Sequence, residues 1–134
     1  MRAFREAVEA QDMDAVEALL AEDVVFTSPV VFKPYPGKAI TAAILHGVAR
    51  VFEDFHYVRE IGDPDGTDHA LLFAARIGDR ELTGCDFIHV NEDGLIDELT
   101  VMVRPLSGAQ ALQAAMGAQF EQIAKEAEAR STAG

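Results

Sequence analysis

Three apolar stretches, each separated from the next by a tight turn, constrain this chain more than any other feature. They are "HALLFAARI" (69–77), "RELTGCDFIHV" (80–90) and "LIDELTVMVR" (95–104). Gly78-Asp79 suits a two-residue hairpin with glycine in first position, and "NEDG" turns again before the third stretch. Strands joined by connections this short pair antiparallel. "FHYVREI", beginning near Phe55, adds a strand ahead of the turn "GDPDGTD", so the expectation is a four-stranded meander. Alternation assigns the faces. Leu82, Gly84, Asp86, Ile88 and Val90 share one side, and Cys85, Phe87 and His89 the other. On the last strand Leu99, Val101 and Val103 oppose Ile96, Thr100 and Met102. Both faces are partly apolar, so both need cover. Helices can cover one, and a second copy of the chain is the simplest cover for the other.

Helical periodicity fills the remainder. Phe4, Ala7 and Val8 stripe residues 2–11. Asp12 offers an N-cap for a second helix carrying Met13, Val16, Leu19 and Leu20. "VVFTSPV" (24–30) is a short strand, and "FKPYPGK" a loop whose prolines Pro34 and Pro36 oppose pairing. After Gly37 a longer helix stripes Ile40, Ile44, Val48, Val51 and Phe55, with Ala42, His46, Ala49 and Arg50 opposite. Pro105 stops the last strand; Ser107 and Gln110 match a capping box, and Leu112, Met116, Phe120 and Ile123 stripe one final helix over about 108–128. Helices first and a meander after them make an α+β fold. One domain accounts for residues 1–134, with its core at about 4–116.

The net charge of −12 repels phosphate backbones and anionic lipid, so neither nucleic acid nor membrane is an expected partner. A lone cysteine, Cys85, permits no internal disulfide, and the charged start "MRAFREAVEAQDMD" has no apolar signal core; the expected location is the cytoplasm. "DPDGTD" fails as a helix–loop–helix calcium site, since Asp68 and Ala74 stand where glycine and a bidentate acid are required. No zinc spacing and no phosphate-binding glycine motif is present, so no metal or cofactor is expected.

"AQDMDAVEALLAEDVVFTSPV", "PGKAI" and "GCDFIHVNEDGLIDELTVMVRPL", in that order, resemble the SnoaL-like branch of the nuclear-transport-factor-2-like, cystatin-like superfamily. The likeness runs from Phe4 to about Met116. It implies a curved antiparallel sheet wrapped around N-terminal helices as a cone with a pocket at its open end, plus a C-terminal helix. It also implies a homodimer through the outer face of the sheet. Function varies widely on this fold, from isomerases, cyclases, dehydratases and hydrolases to binders without catalysis.

Asp86 is the sharpest site candidate. A charge flanked by apolar residues must be paired or neutralised, and the resemblance matches Asp86 to an aspartic acid that ketosteroid isomerases keep protonated as a hydrogen-bond donor. Its other reading is structural, a hydrogen bond that ties the cone together. By the same resemblance the general base falls on Ser28 and the partner tyrosine on Phe4, so the isomerase mechanism does not carry over whole. Ser28 beside Pro29 reads first as a turn hydroxyl. The expected pocket residues are Phe4, Ser28, Tyr35, Phe52, Tyr57, Ile88, Leu99 and Val101, with Asp86 the candidate catalytic group. Which of His56 and Tyr57 faces inward is open. His46 and His69 are expected at the solvent, His89 in the dimer contact, and Arg76 and Arg104 paired with acids across the dimer or holding a carboxylate ligand. Three functions remain: binding of a small apolar molecule, cofactor-independent chemistry on a small apolar or polyketide-like substrate, and a non-catalytic dimeric interaction module.

Overall fold

The structure is a computed structural model and describes residues 1–133. Helices α1 (Arg2–Glu9) and α2 (Met13–Ala18) lead into strand β1 (Leu20–Thr27). A two-residue strand β2 (Tyr35–Pro36) and helix α3 (Lys38–Val51) follow. The meander is β3 (Glu53–Ile61), β4 (Asp68–Ile77), β5 (Arg80–Val90) and β6 (Ile96–Arg104), closed by α4 (Leu106–Gly117) and α5 (Phe120–Ala133). The six strands form one curved, unclosed sheet in the order β2-β1-β6-β5-β4-β3. The expected α+β class and the four-stranded antiparallel meander are both present. Strand β1 joins it parallel to β6, with Phe26 opposite Leu99.

Alternation on β5 is as expected: Leu82, Asp86 and Ile88 are buried, while Phe87 lies on the outer side. The outer face also exposes Val58 on β3 and Met102 on β6, the apolar surface assigned above to a second copy. Ile96 departs from its expected face and is fully buried. His89 pairs with Glu98, but Val90 pairs with Ile96, leaving Asp97 as an extra residue. One extra residue reverses the side on which the strand points.

Several boundaries move. Leu20 begins β1 instead of ending a helix, because Ile96 of β6 lies opposite it and supplies a strand partner. Pro36 does enter the sheet: β2 pairs with the edge of β1, where its missing N–H has no ladder bond to make, and Gly37 N–H donates to the Val24 carbonyl at 2.7 Å. Helix α3 ends at Val51, so Phe55 belongs to β3. Ala42 and Ala43 are as buried as its stripe, since α3 is covered by the sheet on one side and α5 on the other. Pro105 occupies the cap of α4, so Ser107 is a helical residue and the capping box does not form. The expected single final helix is two. The chain breaks at Ala118-Gln119, where the Gln119 side-chain amide donates to the Gly47 carbonyl at 3.1 Å. A Cβ at Gly47 would lie 2.9 Å from the end of the Ile123 side chain, so α5 packs closely on α3 at this point.

Gly84 decides how the sheet presents its inner face. It stands opposite Phe73 on β4, and a Cβ there would fall on the Phe73 ring and 2.6 Å from the Met102 carbonyl oxygen. The missing side chain is what lets Phe73 lie flat on the sheet. Gly84→Ala is therefore expected to destabilise the fold by about 1–3 kcal/mol, the usual range for overpacking, read as a lower urea midpoint. An unchanged midpoint would show that the ring can move aside freely.

Candidate functional site

Between α1, α2, α3 and the inner face of the sheet lies a cavity of about 100 Å³. Its walls are largely aromatic. Phe55 stacks on Phe73 at 4.9 Å, meets Tyr57 edge-on at 5.0 Å and lies 5.7 Å from Phe52. These rings, with Phe4 and Phe26, line the space and do not plug it. By the measure that allots a buried water roughly 10–15 Å³, the space admits about seven to ten water-sized groups.

Asp86 projects from the middle of β5 into this cavity. Tyr57 reaches it from β3, two strands away, and its hydroxyl donates to Asp86 Oδ2 at 2.7 Å. Asp86 Oδ1 has no hydrogen-bond partner among the described residues. Burial in the aromatic cavity pushes the Asp86 carboxyl up to about 7, although the Tyr57 hydrogen bond pulls the other way. Tyr57 is driven well above the ordinary phenol range, first by burial and next by the charge of Asp86. Tyr57 is thus a fixed donor, and Asp86 changes protonation near neutrality. In its neutral form Asp86 accepts from Tyr57 through one oxygen and has an O–H to offer the cavity.

Glu9 and Gln11 supply the other polar groups of the wall. Glu9 ends α1 and receives a hydrogen bond from Arg5 Nε at 3.2 Å. Its charge adds to the upward push on Tyr57, and Arg5 opposes it. Gln11 turns the chain into α2 with φ of 58°, an uncommon conformation for a residue with a side chain. No motif in the sequence marks either residue. The only signal was the Arg5–Glu9 spacing of four, which reads equally as a surface ion pair.

The expected pocket residues divide between two spaces. Phe4, Phe52, Tyr57, Leu99 and Val101 line the cavity with Asp86. Ser28 and Tyr35 line a second chamber of about 210 Å³ beside it. Ile88 lines neither and packs in the core. The open choice at β3 falls to Tyr57, since His56 is exposed and bonded to the Asp54 carbonyl at 3.0 Å. Ser28 accepts the Val30 N–H at 3.1 Å, as a turn hydroxyl does.

Three surface assignments need correction. His46 is mostly covered and lies 3.3 Å from Glu17, because α2 folds back over that side of α3. His69 is buried, its Nε2 2.9 Å from the Gly66 carbonyl, because the 62–68 turn curls over the start of β4. Arg76 pairs with Glu53 and Asp54 of the adjacent strand of its own chain. Among the described residues Arg104 reaches only Thr83, at 3.5 Å. His89 lies 2.6 Å from Asp97, whose hydrogen bond raises the imidazole pKa. Among the described residues two trios could converge on a cation, Asp14–Glu17–His46 and His89–Asp97–Glu98. Each includes an exposed acid, and Glu17 and Asp97 are already engaged by Arg130 and His89. No described helix is long and apolar enough to cross a membrane.

The curved sheet packed against helices is the cystatin-like fold. The SnoaL-like domain family model matches residues 1–99, and the chain belongs to that family. Among solved structures it is similar to a steroid delta-isomerase from Pseudomonas aeruginosa at 42% identity, over 89% of this chain and 87% of that one, with a TM-score of 0.84. It is also similar to an uncharacterised protein with a cystatin-like fold from Silicibacter pomeroyi: 37% identity, 97% and 91% coverage, TM-score 0.88. A putative polyketide cyclase from Pseudomonas putida shares the fold at 23% identity, 80% and 90% coverage, and TM-score 0.65. No curated protein matches the chain.

The Asp86 shift has a direct consequence for stability. The folded protein holds this proton to about pH 7, whereas the unfolded chain releases it near 3.8. Between those values unfolding releases a proton, so raising the pH favours the unfolded chain. The effect is absent below the lower value and complete above the upper one, where it approaches about 4 kcal/mol. Asp86→Asn removes the titration. The variant is expected to gain stability relative to the wild type as pH rises from about 4 to about 8. Parallel urea-stability curves for the two proteins across that range would show that Asp86 does not titrate there.

Proposed function

We propose that the cavity binds a small, mostly apolar carbonyl compound, with the neutral carboxyl of Asp86 donating a hydrogen bond to its oxygen. The observation that carries this reading is the half-engaged carboxyl: Tyr57 occupies Oδ2, Oδ1 is left to the cavity, and the surrounding wall is aromatic. A buried donor without a partner favours a ligand that supplies an acceptor. The reading makes binding depend on protonation. With a carboxyl at about 7, roughly one molecule in ten retains the donor at pH 8. Cyclohexanone, a minimal ring ketone, is therefore expected to bind about tenfold more weakly at pH 8 than at pH 6, as followed by NMR titration. In Asp86→Asn, whose amide donor does not titrate, the affinity should be level across that range. A pH-independent affinity in the wild type would overturn the proposal.

A second reading, catalysis of proton transfer next to that carbonyl, is favoured by one observation: Glu9 lines the same cavity as Asp86. Glu9 would take a proton from the carbon beside the carbonyl while Asp86 stabilises the oxygen of the resulting enolate, and would return it to the same or a conjugated carbon. The 42% identity to a steroid delta-isomerase supports chemistry of this class. The protein should accelerate deuterium incorporation beside the carbonyl of cyclohexanone in heavy water, followed by NMR. Glu9→Gln should lose that acceleration by about a hundredfold or more while still binding the ketone. Exchange no faster than in buffer would leave binding as the function.

A further inference from the structure

The second chamber shares four wall residues with the cavity: Phe26, Pro29, Val48 and Leu112. The two spaces adjoin along these four side chains. The second is about twice the size of the first, about 210 against about 100 Å³. Neither alone reaches the roughly 300 Å³ typical of a ligand pocket, but the two together do. Its lining is again mainly apolar, from Ile40 and Ile44 on α3 to Met116 on α4 and Ile123 on α5. At its rim Val31 is 40% exposed and Phe120 61% exposed, so apolar groups stand at the solvent where polar ones would be expected. The polar groups present are few, and one of them, Ser28, already accepts from the Val30 amide.

We propose that this chamber receives the apolar arm of the ligand whose carbonyl lies against Asp86, so that the protein takes a ketone carrying a hydrocarbon extension. The inference rests on the carbonyl-binding reading above. It adds a division of labour: the aromatic cavity beside β5 holds the oxygen-bearing head, and the space between α3, α4, α5 and the 28–35 loop measures the tail. A polar or charged tail is rejected there, because the chamber has too few partners to replace lost water.

A series of 4-alkylcyclohexanones separates the head from the tail. Affinity is expected to rise about threefold to fourfold with each methylene, as burial of apolar surface predicts, and then to level off once the chamber is full. Ile40 lines the second chamber and not the first. Ile40→Phe should therefore abolish most of the gain while leaving cyclohexanone binding unchanged. If cyclohexanone itself fails to bind, the carbonyl-binding reading fails. If it binds but the wild-type series is flat, only the second-chamber proposal is overturned. A series that climbs equally in the wild type and in a folded Ile40→Phe variant also overturns it, since the arm would then lie elsewhere.

Discussion

The hydrogen bond from Tyr57 to Asp86 joins two strands that do not touch each other. Between β3 and β5 lies β4, whose Phe73 fills the floor under the pair. The bond forms only because the sheet curves enough to bring side chains on alternate strands to 2.7 Å, and because Gly84 leaves room for the Phe73 ring. Burial makes the ionised carboxyl unfavourable, and Tyr57 recovers only part of the lost hydration. The site therefore carries a carboxyl that changes protonation near neutrality. Perturbed carboxyls of this kind cluster at functional sites, which is the ground for placing the proposed ligand contact at Asp86.

How much of this was legible depended on whether strand periodicity stayed intact. On β5 the alternation ran unbroken through Asp86, and the side of every residue from Leu82 to Ile88 followed from it. On β3 the register shifts twice, between Glu53 and His56 and again between Tyr57 and Arg59. Asp54 adopts φ of 54° inside the first irregularity. No period-two pattern survives such a strand, which is why His56 and Tyr57 could not be told apart beforehand. Ile96 was misplaced for the same reason, by the extra residue at Asp97. Bulges re-aim side chains, and here they set both the Tyr57 donor and the seam to β1.

Helical sequence carried different information. The stripes of α1 and α2 identified Phe4 and Val16 as core, but a stripe does not say where a helix stops. Leu20 and Phe55 extend the periodicities of α2 and α3 while belonging to strands. The break between α4 and α5 was hidden because Leu112, Met116, Phe120 and Ile123 continue a helical spacing across it. What breaks the helix is tertiary: Gln119 turns to bond the Gly47 carbonyl, and α5 then lies along α3. Glu9 was unreadable for a related reason. Its pairing with Arg5 is ordinary on a helix surface, and only the packing of α1 over the open side of the sheet makes that surface a cavity wall.

The two spaces differ in what builds them. The Tyr57–Asp86 pair stands on β3 and β5, whose ladders to β4 restrict movement, and rigid placement is what a hydrogen-bonding site needs. The second chamber is built from helix faces and the 28–35 loop, where a single side-chain exchange changes volume without disturbing a ladder. Side chains that line only one of the two spaces, Tyr57 in the first and Ile40 in the second, can then be exchanged separately. Ser28 stands where the resemblance to ketosteroid isomerases places the base, yet its oxygen is committed to a turn beside the second chamber. The carboxylate that lines the Asp86 cavity besides Asp86 itself is Glu9, at the end of α1. A cavity whose one carboxyl comes from the sheet and whose other comes from a helix end can change either without changing the fold.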